Sequence, residues 1–311
     1  MIEKGTRGLG LFCATVGLSA VVTAGFGWLE VLAGWGIAGV LRGILPKERG
    51  KRCRKVSYWL LIGAVILSVA VLVEAERAFP QDNTFPFVSA GLLFLFYRTL
   101  IGEKETGRMV SNVLGLVLLV LFGAMFLFGF SDGHWGELKV GSIRWKQIWI
   151  TVLIACPWWG EKGSWGWYAA SAGFSVATSV LCRVLLGAAL TEFSPVPMYR
   201  AAQTIEVMGV PQHLEGFVAT AVLLGAYSML CYIGSLIREW GETQFQEDKR
   251  RLWWGIVLSV VFLLEWAYRL MGSLEKERIA TVFWGFTGIV ALLVVILRKM
   301  KKVLDKWRIV G

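Results

Sequence analysis

Residues 8–46 are apolar at nearly every position, over a length that no single bilayer crossing accommodates. As one helix, these roughly 39 residues would reach about 58 Å, twice the thickness of a hydrocarbon core of about 30 Å. The segment is therefore expected to cross twice, over 8–24 and 28–46, turning at Gly25-Phe26-Gly27. Further apolar runs follow at 56–73, 85–101, 109–130, 146–160, 165–190, 212–237, 253–272 and 279–297. Lipid offers the backbone no hydrogen-bond partner, so runs of this length imply helices rather than open sheet. The expectation is an all-α polytopic membrane protein of about ten helices, with residues 1–311 forming a single transmembrane domain.

Composition agrees: 56% of residues are hydrophobic and 17% charged. The net charge of +10 would suggest nucleic acid in a soluble protein, but here the basic residues crowd the ends of the apolar runs. There they answer to anionic headgroups and to the preference for Lys and Arg on the cytoplasmic side, so no nucleic-acid partner is expected. Alternating the crossings places 22 of the 32 Lys and Arg inside and 7 outside, with Arg42, Arg183 and Arg269 within spans. Both termini are then cytoplasmic. The competing reading is a cleaved signal peptide over residues 1–24, which have a basic start, an apolar middle and a small-residue end.

Five scattered cysteines without a CxxC pair, and two distant histidines, supply no metal constellation and no cofactor site. No P-loop, HExxH, GxSxG or EF-hand pattern occurs, so enzyme chemistry is not expected. The 16 tryptophans gather near span boundaries, as an aromatic belt would.

Three features carry the functional reading. At 148–168 a span is interrupted by Cys156-Pro157-Trp158-Trp159-Gly160-Glu161. Proline removes a donor and glycine permits non-helical angles, leaving backbone groups free to hold a solute. The plain alternative is a span that ends at Pro157. Secondly, Glu30, Arg183 and the i,i+4 pair Glu265/Arg269 all fall in the outer half of the bilayer on this topology. They line either an outward vestibule in which Arg183 holds a ligand carboxylate, or a structural ion-pair network joining three spans. Thirdly, the outer segment 191–215 is too polar to cross. Its residues 197–208 suit a short amphipathic helix that acts as a lid or a partner-docking element, or simply rests in the headgroups.

Several stretches resemble the spore-germination receptor B-subunit permeases, a branch of the amino acid–polyamine–organocation (APC) transporter superfamily. AGFGWLEVLAG at 24–34 is similar to that family's entry into its second span. FPFVSAGLLFLFYRTLIGEKETGRMVSNVLGLVLL at 85–119 is similar to its fourth span, linker and fifth span. PMYRAAQTIEVMGVPQHLEGFVATAVLLGAYSMLCYIGSL at 197–236 is similar to its outer segment and eighth span. The resemblance implies an APC/LeuT-like five-plus-five inverted repeat, with a site near the midplane between broken first and sixth helices. It also implies a role in sensing a small amino acid in a spore inner membrane or cell membrane, alongside a germinant-receptor A subunit and a C-subunit lipoprotein. Here the first span lacks the family's Gly-x-Gly-and-proline break, and the second half of the sixth helix is missing after Gly160-Glu161. Both helices are thus expected to be shortened.

The residues expected at a ligand site are Gly17, Pro157, Gly160, Glu161 and Arg183, with Glu30, Glu265 and Arg269 as intramembrane charges. The leading expectation is a permease-type sensing subunit in spore germination. The alternatives are an independent amino acid or organocation transporter, and a membrane scaffold that has kept the fold without transport.

Overall fold

A computed structural model of the chain describes residues 8–44, 106–138, 143–155, 165–194 and 197–228 with short interruptions, together with isolated positions at 94–98, 158, 231 and 238. The spans expected at 56–73, 253–272 and 279–297, and most of 85–101, lie outside the described residues, as do Pro157, Gly160, Glu161, Glu265 and Arg269.

The described residues between 8 and 22 are helical (α1). The helix tightens into a 3-10 turn at Thr23–Gly25, the backbone extends at Phe26, and α2 runs over Trp28–Ile44. Next come α3 (Thr106–Asp132), α4 (Trp145–Ile154), α5 (Trp165–Phe193), α6 (Pro197–Thr204) and α7 (Gly216–Gly225). Apart from one hairpin of two-residue strands, β1 (Glu206–Val207) and β2 (Val210–Pro211), these elements are all helices and 3-10 turns.

Two helices, α3 and α5, are long and apolar enough to cross a membrane. At about 1.5 Å per residue α3 reaches about 40 Å, whereas the 10 residues of α4 reach only about 15 Å, half a bilayer. Much of α3 turns apolar side chains outward, including Met109, Val113, Leu116, Val120 and Leu127. Leu118, Phe122 and Met125, on one stripe, are buried in the core, with Leu114, Leu121 and Phe126 partly buried beside them. A core helix of a water-soluble domain would cover such surface; lipid leaves it exposed at no cost.

Side-chain contacts set the directions of the helices. Thr15 meets Ser171, Ser19 meets Ser175, and the Phe26 carbonyl meets Ser179, so α1 and α5 run the same way. Phe122 packs edge-on to Phe174, with ring centroids 5.3 Å apart, and Gly129 and Gly133 approach Leu181 and Val184, so α3 also runs with α5. The Gly27 amide meets Gln147, and Gly34 lies against Thr151, making α2 and α4 parallel to each other. Trp35 and Arg42 of α2 reach back to Tyr168 and Trp165, so α2 opposes α5. One end of the bundle therefore collects the α1–α2 reversal and the described residues of 133–138, 143–147, 184–194 and 197–207. The other end collects Ile44, Thr106, Ala155 and Trp165.

The expected outer helix over 197–208 is shorter than its pattern suggests. It ends at Thr204, whose hydroxyl donates to the Ala201 carbonyl at 2.8 Å, and the backbone then pairs Glu206 with Pro211 and Val207 with Val210. The β-branched residues Ile205, Val207 and Val210 favour that extended geometry over another helical turn.

Candidate functional site

The reversal between α1 and α2 creates the polar centre of the described structure. Where a helix breaks, its terminal backbone groups need partners from elsewhere. The Phe26 carbonyl accepts the Ser179 hydroxyl at 2.6 Å and the Arg183 Nε–H at 3.4 Å, both from α5. The Gly27 amide donates to Gln147 Oε1 of α4 at 3.4 Å. Glu30, in the first turn of α2, is buried and lies over Gly27, filling space that a side chain there would need. A carboxylate at that position also faces the positive end of the α2 dipole.

Arg183 is buried, and its Nη2 donates to Glu192 Oε1 at 3.2 Å. The other oxygen of Glu192 accepts from Arg144 Nη2, so one carboxylate joins two guanidinium groups. Exposure grades outward across the triad: the side chain of Glu192 is 25% exposed and that of Arg144 is 47% exposed. The cluster carries one net positive charge and opens on the surface at Arg144.

Glu192 reaches Arg183 because α5 breaks at Gly187, which takes φ 75 and ψ 164 inside an otherwise helical segment. Glycine adopts that conformation freely and other residues do not. At the break the Val184 carbonyl accepts the His134 amide at 3.0 Å, and the single proton of the Thr191 hydroxyl is shared between the Gly187 carbonyl at 2.7 Å and the Cys182 carbonyl at 3.1 Å. A continuous helix would have put Glu192 two and a half turns from Arg183.

Below this cluster the α1–α5 seam is a ladder of buried hydroxyls: Thr15 to Ser171 at 3.0 Å, Ser19 to Ser175 at 2.7 Å, and Thr23 to the Ser19 carbonyl at 2.8 Å. Each hydroxyl has one proton. That of Ser175 goes to the Ser171 carbonyl at 2.8 Å, so Ser19 donates to Ser175. Interhelical pairs of this kind in membranes are worth about 0.6 kcal/mol. A double-mutant cycle of Ser19→Ala and Ser175→Ala, read by reversible unfolding in mixed micelles, is expected to return a coupling of about that size. Additive single-site effects would show the two hydroxyls to be energetically independent.

Gly17 lies between Thr15 and Ser19 in sequence but on another face of α1, against α7. A Cβ at Gly17 would overlap the Gly225 backbone, and one at Gly225 would overlap Gly17. The described Gly17 is thus a helix-crossing point. At the opposite end of the bundle the Arg42 guanidinium sits 4.5 Å from the Trp165 ring centroid, 5.1 Å from Tyr168 and 5.7 Å from Trp158. Tyr168 in turn donates its hydroxyl to the Trp35 carbonyl.

Of the residues expected at a site, the structure brings Arg183 and Glu30 to the reversal and places Gly17 at the α1–α7 crossing. Pro157, Gly160, Glu161, Glu265 and Arg269 lie outside the described residues. Sequence reasoning missed Glu192, Arg144, Gln147 and Ser179 as partners. The pair Thr191-Glu192, two polar residues at the end of an apolar run, marks only where the span ends and does not point to Arg183. No protein-family profile and no curated protein sequence matches the chain.

Proposed function

We propose that the chain is a multi-pass permease-type membrane subunit that binds a small amino acid or similar solute from the side of the α1–α2 reversal. On this reading about ten helices cross the bilayer in an APC-like arrangement, with both termini cytoplasmic. Sensing in spore germination, beside an A subunit and a lipoprotein, is the role that the resemblance implies. The observation that carries the solute reading is a buried guanidinium, Arg183, at a helix break, joined through Glu192 to the half-exposed Arg144. Arginine in that setting pairs with a carboxylate, and intramembrane charge is rare outside binding and coupling sites. Further support comes from the helix directions. Strict alternation of crossings through 8–24, 28–46, 109–130, 146–160 and 165–190 assigns α1, α3 and α5 one direction and α2 and α4 the other, as the contacts have it.

Equilibrium binding of a panel of L-amino acids to the purified full chain tests the reading. Arg183→Gln is expected to abolish the response, weakening affinity by about a hundredfold through loss of a charge-assisted pair. A correctly inserted R183Q protein that responds as the wild type does would sink it. Uptake by proteoliposomes of the isolated chain would instead favour an independent transporter.

A scaffold without a solute is the second reading, and Glu192 favours it. Arg183 already holds a carboxylate supplied by its own chain. A negative binding screen with the wild type is its expected result.

A further inference from the structure

We propose that residues 188–194 form a latch over the α1–α2 reversal, in which Glu192 occupies the place of a ligand carboxylate on Arg183 and is released when such a carboxylate arrives. The inference rests on reading this end of the bundle as the solute entrance.

Three observations converge on it. Gly187 supplies the pivot: its positive φ ends the rigid part of α5 four residues beyond Arg183. What lies past the pivot is a short helical segment ending at Phe193, in which Leu190 and Phe193 stand exposed and Thr191 alone turns into the core. Its polar anchors are the Thr191 hydroxyl on carbonyls of α5 and the Glu192 carboxylate between two arginines.

The chemistry of the pair determines what can open the latch. Arg183 is buried and cannot be left with its charge uncompensated, so departure of Glu192 by itself is strongly unfavourable. Another carboxylate entering past the half-exposed Arg144 would restore the pairing and lift that penalty. Opening is thereby coupled to the arrival of an anion of the same geometry, and a neutral solute gains nothing. The free energy available is the difference between two similar ion pairs, so the switch operates near balance and is set by solute concentration. Arg144 serves as the outer contact: it holds Glu192 when the latch is closed and faces the entering carboxylate first.

Hydrogen–deuterium exchange on the full chain in nanodiscs reads the latch without needing a known ligand. In Glu192→Gln the amides of residues 188–194 are expected to exchange about tenfold faster than in the wild type, while those of α3 stay unchanged. Arg144→Gln, at an exposed position that folding tolerates, is expected to accelerate the same amides by a smaller factor. Unchanged exchange over 188–194 in both variants would overturn the latch. In the wild type, millimolar acetate or L-alanine is expected to speed these amides at constant ionic strength, with E192Q showing no further response. An equal response to chloride would reduce the effect to charge screening and overturn carboxylate release, as would no response to either. The variant arm contains no solute. A negative amino-acid screen beside an E192Q-loosened segment would therefore remove the solute reading and leave the latch standing.

Discussion

Leucine at Gly17 is expected to leave no monodisperse protein to purify. In this chain α1 crosses α7 with the two glycine backbones in contact, and a Cβ on either would overlap the other. When an added group meets a flexible side chain, the neighbour moves and the cost is about 1–3 kcal/mol. Here the obstacle is main chain on a helix, and relief would require the two helices to separate. Separation would pull α1 away from α5 as well, breaking Thr15 from Ser171 and Ser19 from Ser175. The loss adds to a backbone clash that no side-chain rotation relieves, against a total stability of only about 5–15 kcal/mol. Size-exclusion of a fluorescent fusion in mild detergent is the direct measurement. Gly225→Leu should behave in the same way, and Gly36→Leu, where a side chain would meet open space, should elute normally. A sharp, wild-type peak for Gly17→Leu would show that the helices do not cross at these glycines.

Glu192→Ala is expected to be the most destabilising change at the reversal end that adds no bulk. Removing the carboxylate strands the buried Arg183 and also frees Arg144. Breaking a fully buried pair costs about 3–5 kcal/mol, and because Glu192 is partly exposed the expected loss is nearer about 2–3 kcal/mol. The apparent melting temperature should fall by about 5 °C or more in a thermal-shift assay. Arg144→Ala should cost well under about 1 kcal/mol, because that arm of the triad is solvated. The informative control is the double replacement Arg183→Met with Glu192→Met, which removes both charges and should recover most of the loss. If Glu192→Ala and the double variant melt alike, the cost lies in packing rather than in the stranded charge.

The large features of the described structure were legible because bilayer physics is written into run lengths. An apolar run at 109–130 corresponds to a helix at Thr106–Asp132, and the excess length of 8–46 corresponds to a break at residues 23–27. The side-chain contacts give α1, α3 and α5 one direction and α2 and α4 the other. The break at Gly187 was not legible, since Val184-Leu185-Leu186 and Ala188-Ala189-Leu190 read as one continuing apolar helix across it. Glu192 was missed for the same reason: nine residues is not a helical spacing, and the pair exists only because the helix turns aside. The hydroxyls of α1 and α5 were unremarkable singly. Their meaning depends on a partner more than 150 positions away, which no local pattern encodes.

That ladder has a property that follows from its spacing alone. Thr15, Ser19 and Thr23 recur every four residues on α1, and Ser171, Ser175 and Ser179 recur every four on α5. Two combs with equal teeth can mesh in more than one position. Sliding α1 by four residues, about 6 Å, would set Thr15 opposite Ser175 and Ser19 opposite Ser179. The seam is indexed for that whole step, so any axial movement of these two helices should come in units of four residues.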